Sequence, residues 1–352
     1  MSKVPVYPPD TTINDRYVLG EKLGTDGSVY VAYDRHLDAR VALKVLHPIG
    51  GVAQSWDEAK RLEQLRSRFL VDVINADVVT SSDLRFIVTP LLQAGDLETA
   101  AAPVGLGVRD AARFVQQIAT GVGRIHAAGM VHRDIKPANV LLQGDEVLVS
   151  DLEMCELLDP EGHASRDGSW CTLAPEVAPE EGLCSTRSDV YSLGATAFYL
   201  LSGEYPVDHR MPREEQKRLI ERGEIREIRR LAPHVPQSVG TVIRRALALD
   251  PNRRYATTEK LGNALAHAVR ARRNWRRVEH PGHVQCFAGD SFGGRSAIAV
   301  CTISDGRRID VLTRHPSAGG SGFGRRVAGV ADSSVTPSGL TTYLQRHIKA
   351  LT

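Results

Sequence analysis

One eight-residue stretch, His132 to Asn139, carries most of the side chains that could do chemistry in this chain. Asp134 can accept a proton from an attacking hydroxyl group, and Asn139, five residues later, can ligate a divalent metal ion. Lys136 lies between them and can neutralise charge on a transferred phosphoryl group. Asp151 follows a predicted strand, where a metal-binding carboxylate is typical. Each residue alone is commonplace, but their types and spacing together indicate metal-assisted phosphoryl transfer.

The stretch from His132 to Asn139 is predicted to be a loop, because a helix precedes it and a β-hairpin follows it. Apolar residues at spacings of three and four predict an amphipathic helix over residues 110–128, directly before it. Residues 140–142 and 147–149 predict the two strands of a hairpin directly after it. The loop that joins this helix to this hairpin therefore carries Asp134 and Asn139.

The rest of the chain divides into a small β-rich part and a larger helical part. Short β-branched runs separated by turn residues predict an antiparallel meander near the N-terminus. Strands are predicted over residues 17–21, 29–34, 40–47, 71–79 and 84–92, with a helix over 56–65. Further helices are predicted over residues 189–201, 213–222, 239–249 and 258–273.

Length and composition exclude several classes of protein. The chain has 352 residues, 42% hydrophobic and 24% charged, which suits about two folded units and argues against disorder throughout. A formal net charge of +2 argues against a nucleic-acid coat protein. The apolar runs are too short for a membrane span, and the N-terminus lacks the apolar core of a signal peptide. Five scattered cysteines without a Cys-x-x-Cys pair support neither a zinc ribbon nor a disulfide framework, so we expect a cytoplasmic protein.

Together with the segments around it, the loop resembles the eukaryotic-type (Hanks-type) protein kinase family, and within it the bacterial serine/threonine kinases. The matching motifs are Val41-Ala42-Leu43-Lys44, the stretch His132 to Asn139, Asp151-Leu152-Glu153 and Ala174-Pro175-Glu176. The resemblance covers residues 17–273 and implies an α+β protein kinase fold of two lobes. A lead over residues 1–14 would precede a kinase domain over 15–275, with a β-rich N-lobe over about 15–92 and a helical C-lobe over about 93–275.

The resemblance also implies a site for ATP and a divalent metal ion, Mg²⁺ or alternatively Mn²⁺. Lys44 would hold the α- and β-phosphates, and Glu58 on the following helix would form an ion pair with it. The catalytic residues would be Asp134 and Lys136, and the metal ligands Asn139 and Asp151. The other residues of the nucleotide site would be Gly24, Gly27, Val29, Ala42, Thr89, Leu91, Leu92 and Leu141.

The same resemblance assigns residues to regulation and to the stability of the fold. Arg133 would grip a phosphate group on the activation segment, so phosphorylation there would control activity. The candidate phosphorylation sites are Ser165, Ser169 and Thr172, of which we rank Ser165 first. Asp189 would fix the backbone of the catalytic loop, and Glu176 would form a buried pair with Arg254.

Two departures from the family pattern leave a second function open. The phosphate-binding loop is two residues shorter than the family's and keeps only Gly24 and Gly27. Glu153 replaces the glycine of the Asp-Phe-Gly motif, which could restrict Asp151 or add a carboxylate near the metal ion. Both changes suit a pseudokinase scaffold with weak or no ATP turnover. Because the catalytic aspartate, the lysine and both metal ligands are present, we favour an active serine/threonine kinase that also phosphorylates its own activation segment.

A small basic α+β domain is predicted over residues 279–352, after a change in composition near residues 275–282. From residue 276 to residue 352 the chain carries ten Lys and Arg against five Asp and Glu. Strands are predicted over residues 283–288, 296–303 and 308–312, and a last helix begins at the cap residue Thr336. One face of that helix would carry Leu340, Leu344, Ile348 and Leu351. Because its histidines, at positions 280, 283, 315 and 347, lack a compact spacing, we predict no metal site there.

The expected partners are protein substrates, together with a second copy of the chain if autophosphorylation occurs in trans. Because residues 279–352 follow the kinase region, a substrate-docking or regulatory role is the hypothesis for them. We do not expect nucleic acid as a partner, since aromatic residues are not interleaved with the basic ones, and we expect no membrane association.

Overall fold

A computed structural model describes residues 6–23, 28–46, 65–80, 82, 84–270, 272–316 and 323–352. Within them, the N-terminal part forms an antiparallel sheet of β1 (Thr12–Ile13), β2 (Tyr17–Leu23), β3 (Val29–Asp34), β4 (Ala39–Leu46), β5 (Asn75–Val78) and β6 (Arg85–Pro90). The strand order is β1-β2-β3-β4-β6-β5, which places β4 between β3 and β6. Gly24, Gly27 and the predicted helix with Glu58 lie outside the described residues.

Strand β4 has one face in the core of the lobe and the other face on a cleft. Side chains alternate between the faces of a strand, so Val41, Leu43 and Val45 point into the apolar core of the lobe and are buried. Ala42 and Lys44, between them in the sequence, line a cleft on the opposite face. The alternation in Val41-Ala42-Leu43-Lys44 thus fixes the direction of the lysine.

Helices dominate the next part of the chain. They are α1 (Leu97–Ala101), α2 (Val108–Ala127), α3 (Thr186–Ser202), α4 (Arg213–Arg222), α5 (Ile228–Leu231), α6 (Gln237–Ala246) and α7 (Thr258–Ala268). Four short strands lie among them: β7 (Met130–Val131), β8 (Val140–Gln143), β9 (Glu146–Val149) and β10 (Glu156–Leu157). Strands β8 and β9 form the predicted hairpin, and β7 pairs with β10. Helix α2 packs against α3 and α7, and the expected β-rich and helical lobes are both present.

One predicted helix ends five residues earlier than the sequence indicates. The helix predicted over residues 258–273 stops at Ala268, and the chain then turns so that Asn274 reaches the start of α2. The Asn274 side-chain oxygen accepts a hydrogen bond from the Arg109 backbone N–H at 2.9 Å, and its amide nitrogen donates to Asp110 at 2.9 Å. Gly107, at the cap position of α2, has no side chain that could accept a hydrogen bond from the first turn. Asn274 therefore accepts the bond from the Arg109 N–H group, which has no partner within the helix.

A second antiparallel sheet forms near the C-terminus. Its strands are β11 (Trp275–Val278), β12 (Gln285–Gly289), β13 (Ile298–Ser304), β14 (Ile309–Pro316), β15 (Phe323–Arg326) and β16 (Ser333–Val335). Strands β11 to β15 are neighbours in sequence order, and β16 also pairs with β14. The sequence did not indicate β11, so this sheet begins at Trp275, four residues before the expected domain start.

Helix α8 (Leu340–Ala350) covers one face of that sheet. Leu340, Leu344 and Ile348 are buried against it, as the spacing predicts. The expected cap at Thr336 is wrong in detail: a 3₁₀ turn over Pro337–Gly339 comes first, and the Thr336 side chain caps neither element. Among the described residues, no helix combines the length and apolar character needed to cross a membrane.

A buried ion pair joins the end of the activation segment to the helical lobe. The fully buried Arg254 guanidinium donates to both carboxylate oxygens of Glu176, at 2.6 and 2.7 Å. Its other N–H groups donate to the backbone carbonyls of Ala248, Leu249 and Arg187 at 2.8–3.1 Å. All five guanidinium donors are used, so the charge is compensated, and removal of Glu176 would leave the buried guanidinium without its counter-ion.

We expect Glu176→Gln and Arg254→Met each to lower the free energy of unfolding by about 3–5 kcal/mol. Glu176→Gln leaves the buried guanidinium without its counter-ion, and Arg254→Met leaves a half-buried carboxylate and three backbone carbonyls without their donor. Urea unfolding followed by circular dichroism measures the change. Arg218→Met is the matched control, since Arg218 forms an exposed ion pair on α4 and its loss should change stability little. Equal losses in the control and in the two variants would contradict this account.

Candidate active site

A cleft of about 810 Å³ lies between the β-rich lobe and the helical lobe. The sequence-predicted residues of the nucleotide site that line it are Val29, Ala42, Lys44, Thr89, Leu91, Leu92 and Leu141. Lys136, Asn139 and Asp151 line the same cleft from the helical side. The structure thus brings together residues that are more than one hundred positions apart in the sequence. Gly24, Gly27 and Glu58 belong to the same prediction but lie outside the described residues.

The catalytic loop is anchored by the buried carboxylate of Asp189, near the start of α3. It accepts hydrogen bonds from the backbone N–H groups of His132 at 2.8 Å and Arg133 at 3.0 Å, and contacts His126 Nε2 at 2.7 Å. Burial alone would raise the pKa of Asp189, but the hydrogen bond with His126 and the nearby histidines bring it below its ordinary value. These bonds hold Arg133 at φ 72°, in the left-handed region that residues other than glycine seldom adopt.

Asp134 lies within hydrogen-bond distance of three groups. Its Oδ1 accepts from the Ser169 backbone N–H at 2.9 Å, and its Oδ2 accepts from Lys136 Nζ at 2.8 Å and Asn139 Nδ2 at 3.0 Å. Burial alone would raise the pKa of Asp134, but the Lys136 ammonium and these hydrogen bonds bring it below its ordinary value. Asp134 is therefore an anion at neutral pH and can accept a hydrogen bond or a proton.

Two oxygen donors face the cleft where a metal ion would be expected. The Asn139 amide nitrogen donates to the Asp134 backbone carbonyl at 2.9 Å as well as to its carboxylate, which leaves the amide oxygen as the end that can ligate. Asp151 lies two residues after the end of β9 and adopts φ 57°, again in the left-handed region. Amide and carboxylate oxygens are the ligands that hard divalent cations prefer, so this pair fits Mg²⁺.

Lys44 has a carboxylate partner that sequence reasoning did not assign. Its Nζ lies 3.1 Å from Asp151 Oδ1 and also forms an ion pair with Glu153, which is largely buried. Burial alone would lower the pKa of Lys44, but the two carboxylates raise it above its ordinary value. Burial, with repulsion from Asp151, raises the pKa of Glu153 despite the nearby lysine. The sequence showed an unexpected glutamate here, but it gave no sign of contact with a lysine 109 positions earlier.

The activation segment brings a serine hydroxyl to Arg133. Arg133 Nη1 donates to Ser165 Oγ at 2.7 Å and pairs with Glu156 at 2.5 Å. The exposure of the three candidate phosphorylation sites differs: Ser165 is exposed, Ser169 is half-buried and Thr172 is buried. Lys136 Nζ donates to Ser169 Oγ at 2.9 Å, so Ser169 lies beside the catalytic pair rather than beside Arg133.

Comparisons with known proteins agree with this geometry. A family model for the protein kinase domain matches residues 16–266. The serine/threonine-protein kinase pkn2 of Myxococcus xanthus is 29% identical over 279 residues, which cover 74% of this chain and 33% of that protein. The serine/threonine-protein kinase PrkC of Bacillus subtilis is 30% identical over 263 residues, covering 71% of this chain and 40% of that protein.

A third similar protein is the DNA damage-responsive serine/threonine-protein kinase RqkA of Deinococcus radiodurans. It is 31% identical over 273 residues, which cover 74% of this chain and 40% of that protein. The chain therefore spans between a third and two fifths of the length of these curated relatives.

We expect Glu153→Gln to raise the KM for ATP about tenfold with a smaller change in kcat. The variant removes one charge-assisted hydrogen bond, worth about 1.5–3 kcal/mol, that holds Lys44 toward the cleft, and about 1.4 kcal/mol corresponds to tenfold. Steady-state kinetics at varied ATP concentration separates the two constants.

Glu146→Gln is the control, because Glu146 lies on the β8–β9 hairpin, away from the cleft, and pairs there with Arg68. It should leave both constants unchanged. A lower KM in Glu153→Gln would contradict the prediction, since it would mean that Glu153 withholds Lys44 from the nucleotide.

Proposed function

The chain belongs to the protein kinase family, and from that premise we propose that it transfers the γ-phosphoryl group of ATP to serine or threonine hydroxyls of proteins. The observation that carries the proposal is the hydrogen-bonded group of Asp134, Lys136 and Asn139 at the cleft. It combines a general base, a cation for the transferred group and a metal ligand in one place. The form of this loop, with Lys136 two residues after Asp134, resembles that of serine/threonine kinases.

In this proposal each residue of the loop has a separate task. Asp134 orients the acceptor hydroxyl and takes its proton, for which its lowered pKa keeps it ionised. Lys136 stabilises the negative charge of the phosphoryl group as it moves between oxygens. Lys44, held by Asp151 and Glu153, positions the α- and β-phosphates. The catalytic gain comes from holding these charges in place before the reaction.

We further propose that ATP binds in the cleft and that the metal ion is Mg²⁺, with Mn²⁺ as a substitute. Protein kinases use ATP and divalent metal ions, and Asn139 and Asp151 offer the oxygen ligands that these ions prefer. The ion, when bound, neutralises charge on the phosphates. Val29, Ala42 and Leu141 offer apolar surface to the adenine ring, beside Thr89 and the segment of Leu91 and Leu92.

The pseudokinase alternative gains no support from the comparisons, which match proteins named as kinases. The geometry also favours turnover, because Lys44 pairs with Asp151 in the cleft and Lys136 donates a hydrogen bond to Asp134 beside it. Partner and location are proposals that depend on family membership. We propose protein substrates in the cytoplasm, self-association for phosphorylation in trans, and a substrate-docking or regulatory role for residues 279–352.

Autophosphorylation with labelled ATP tests the proposed activity. We expect label on serine or threonine of the wild type with Mg²⁺ or Mn²⁺, and none after chelation with EDTA. Asp134→Asn should lower the rate about 10²- to 10⁴-fold, because it removes the proton acceptor. Lys44→Met should also abolish detectable labelling, since it leaves the phosphates without their cation.

Asp145→Asn is the matched control: Asp145 is an exposed residue in the turn between β8 and β9, so its charge should not matter. If Asp134→Asn or Lys44→Met transferred phosphate as fast as this control, the assignment of the site would be wrong. If the wild type bound ATP but carried no label under either metal, the pseudokinase would replace the kinase.

Ser165 should be the main phosphorylation site of the activation segment. A phosphate there adds a charge of about −1.5 to −2 next to Arg133, which would exchange its Glu156 partner for a stronger one. We expect Ser165→Ala to lower activity toward an added protein about tenfold. Mass spectrometry of the wild type, with and without phosphatase treatment, locates the phosphate.

Thr172→Val is the control, because Thr172 is buried and cannot reach another kinase's cleft without unfolding of the segment. Its pattern of phosphorylated residues should match that of the wild type. Phosphate on Thr172 or Ser169 with none on Ser165 would overturn the ranking.

A further inference from the structure

The C-terminal sheet buries two cysteines on the face opposite to α8. Cys286 on β12 and Cys301 on β13 are direct cross-strand partners, and they are 1% and 0% exposed. Their neighbours Phe287 and Val300 point the other way, into the core under α8. Both cysteines are free thiols in the structure.

A histidine completes a group of three potential metal ligands. His283 precedes β12 and its Nδ1 lies 3.0 Å from Cys286 Sγ. The nitrogen and the two sulfurs all lie within 4.8 Å of one another. A tetrahedral zinc ion with sulfurs at about 2.3 Å and a nitrogen at about 2.0 Å separates its ligand atoms by about 3.5–3.8 Å. Small side-chain rotations would bring the three atoms to these separations.

The group also has an entry path and a source for a fourth ligand. A surface cavity of about 300 Å³ is lined by Cys286, His283, His280 and Glu279. The His280 ring stacks on His283, with ring centroids 4.5 Å apart. An ion that entered from solvent would therefore meet an imidazole, a carboxylate or water at the position that half-buried His283 and the two buried cysteines leave open.

We propose that His283, Cys286 and Cys301 bind one Zn²⁺ ion, with the fourth ligand supplied from the cavity. Thiolate and imidazole ligands select zinc over the hard cations that bind in the kinase cleft. Two thiolates balance the charge of the ion, so the complex is neutral when the fourth ligand is water or a neutral imidazole. Binding forms two Zn–S bonds and one Zn–N bond and releases the two thiol protons to solvent. The ion would fasten the β11–β12 connection to β13.

This proposal differs from the expectation of no metal site in this region, which rested on the spacing of the histidines alone. The cysteines form no Cys-x-x-Cys pair. The relevant signal is mixed: His283 and Cys286 are three residues apart, and Cys301 joins them only through the pairing of β12 with β13.

Cobalt and zinc binding to the full chain tests the proposal. Protein stripped with EDTA and kept reduced is titrated with Co²⁺ and then with Zn²⁺. We expect one Co²⁺ per chain, with tetrahedral d–d bands and thiolate-to-cobalt charge transfer that Zn²⁺ abolishes. Cys286→Ser, Cys301→Ser and His283→Ala should each weaken binding at least tenfold. The controls Cys171→Ser and His315→Gln lie outside the group and should bind as the wild type does.

Native mass spectrometry of the wild type gives a result that does not depend on the folding of any variant. With Zn²⁺ present, the mass should rise by one zinc and fall by two protons. A Co²⁺ spectrum without thiolate charge transfer would overturn the proposal, as would equal binding by Cys286→Ser and Cys171→Ser. A Cys286–Cys301 disulfide in protein kept under reductant would also overturn it, since the thiols would then pair with each other instead of binding metal.

Discussion

The geometry of the catalytic loop depends on one buried carboxylate. Asp189 accepts hydrogen bonds from two backbone N–H groups of the loop and contacts His126, so both of its carboxylate oxygens have partners. Those bonds compensate for the backbone strain at Arg133, whose φ of 72° turns the chain so that Asp134 and Lys136 can meet. A loop that depended only on local preferences would relax toward the commoner right-handed or extended conformations, and the proton acceptor would lose its position.

The same strained residue connects the loop to the activation segment. The Arg133 backbone is held by Asp189, while its guanidinium reaches Met154, Glu156 and Ser165. A negative charge on the activation segment therefore attracts the guanidinium of Arg133, whose backbone is already held in place by Asp189. On the other side of the cleft, Lys44 balances two carboxylates that would otherwise repel each other, Asp151 and Glu153. Both walls of the site are thus held by ion pairs between elements distant in sequence.

Periodicity and turn residues in the sequence predicted the helices and strands whose formation depends mainly on local interactions. The strand over residues 29–34, the helix over 213–222 and the hairpin around Gly144 are where their periodicity and turn residues indicate. The contacts that sequence missed all join distant segments. Glu153 pairs with Lys44 across the cleft, Asn274 caps α2 from 165 residues away, and Cys301 meets His283 through strand pairing. No spacing along the chain encodes such contacts, because they depend on how the elements pack.

The C-terminal sheet is tied to the element that carries the catalytic loop. Asn274, directly before β11, satisfies the first turn of α2, and His126 at the far end of the same helix contacts Asp189. This helix of 20 residues is about 30 Å long. Gln345 of α8 adds a second contact, donating to the Arg229 carbonyl at 2.9 Å. Asn274 therefore connects the C-terminal sheet to the helix whose other end contacts Asp189, the residue that anchors the catalytic loop.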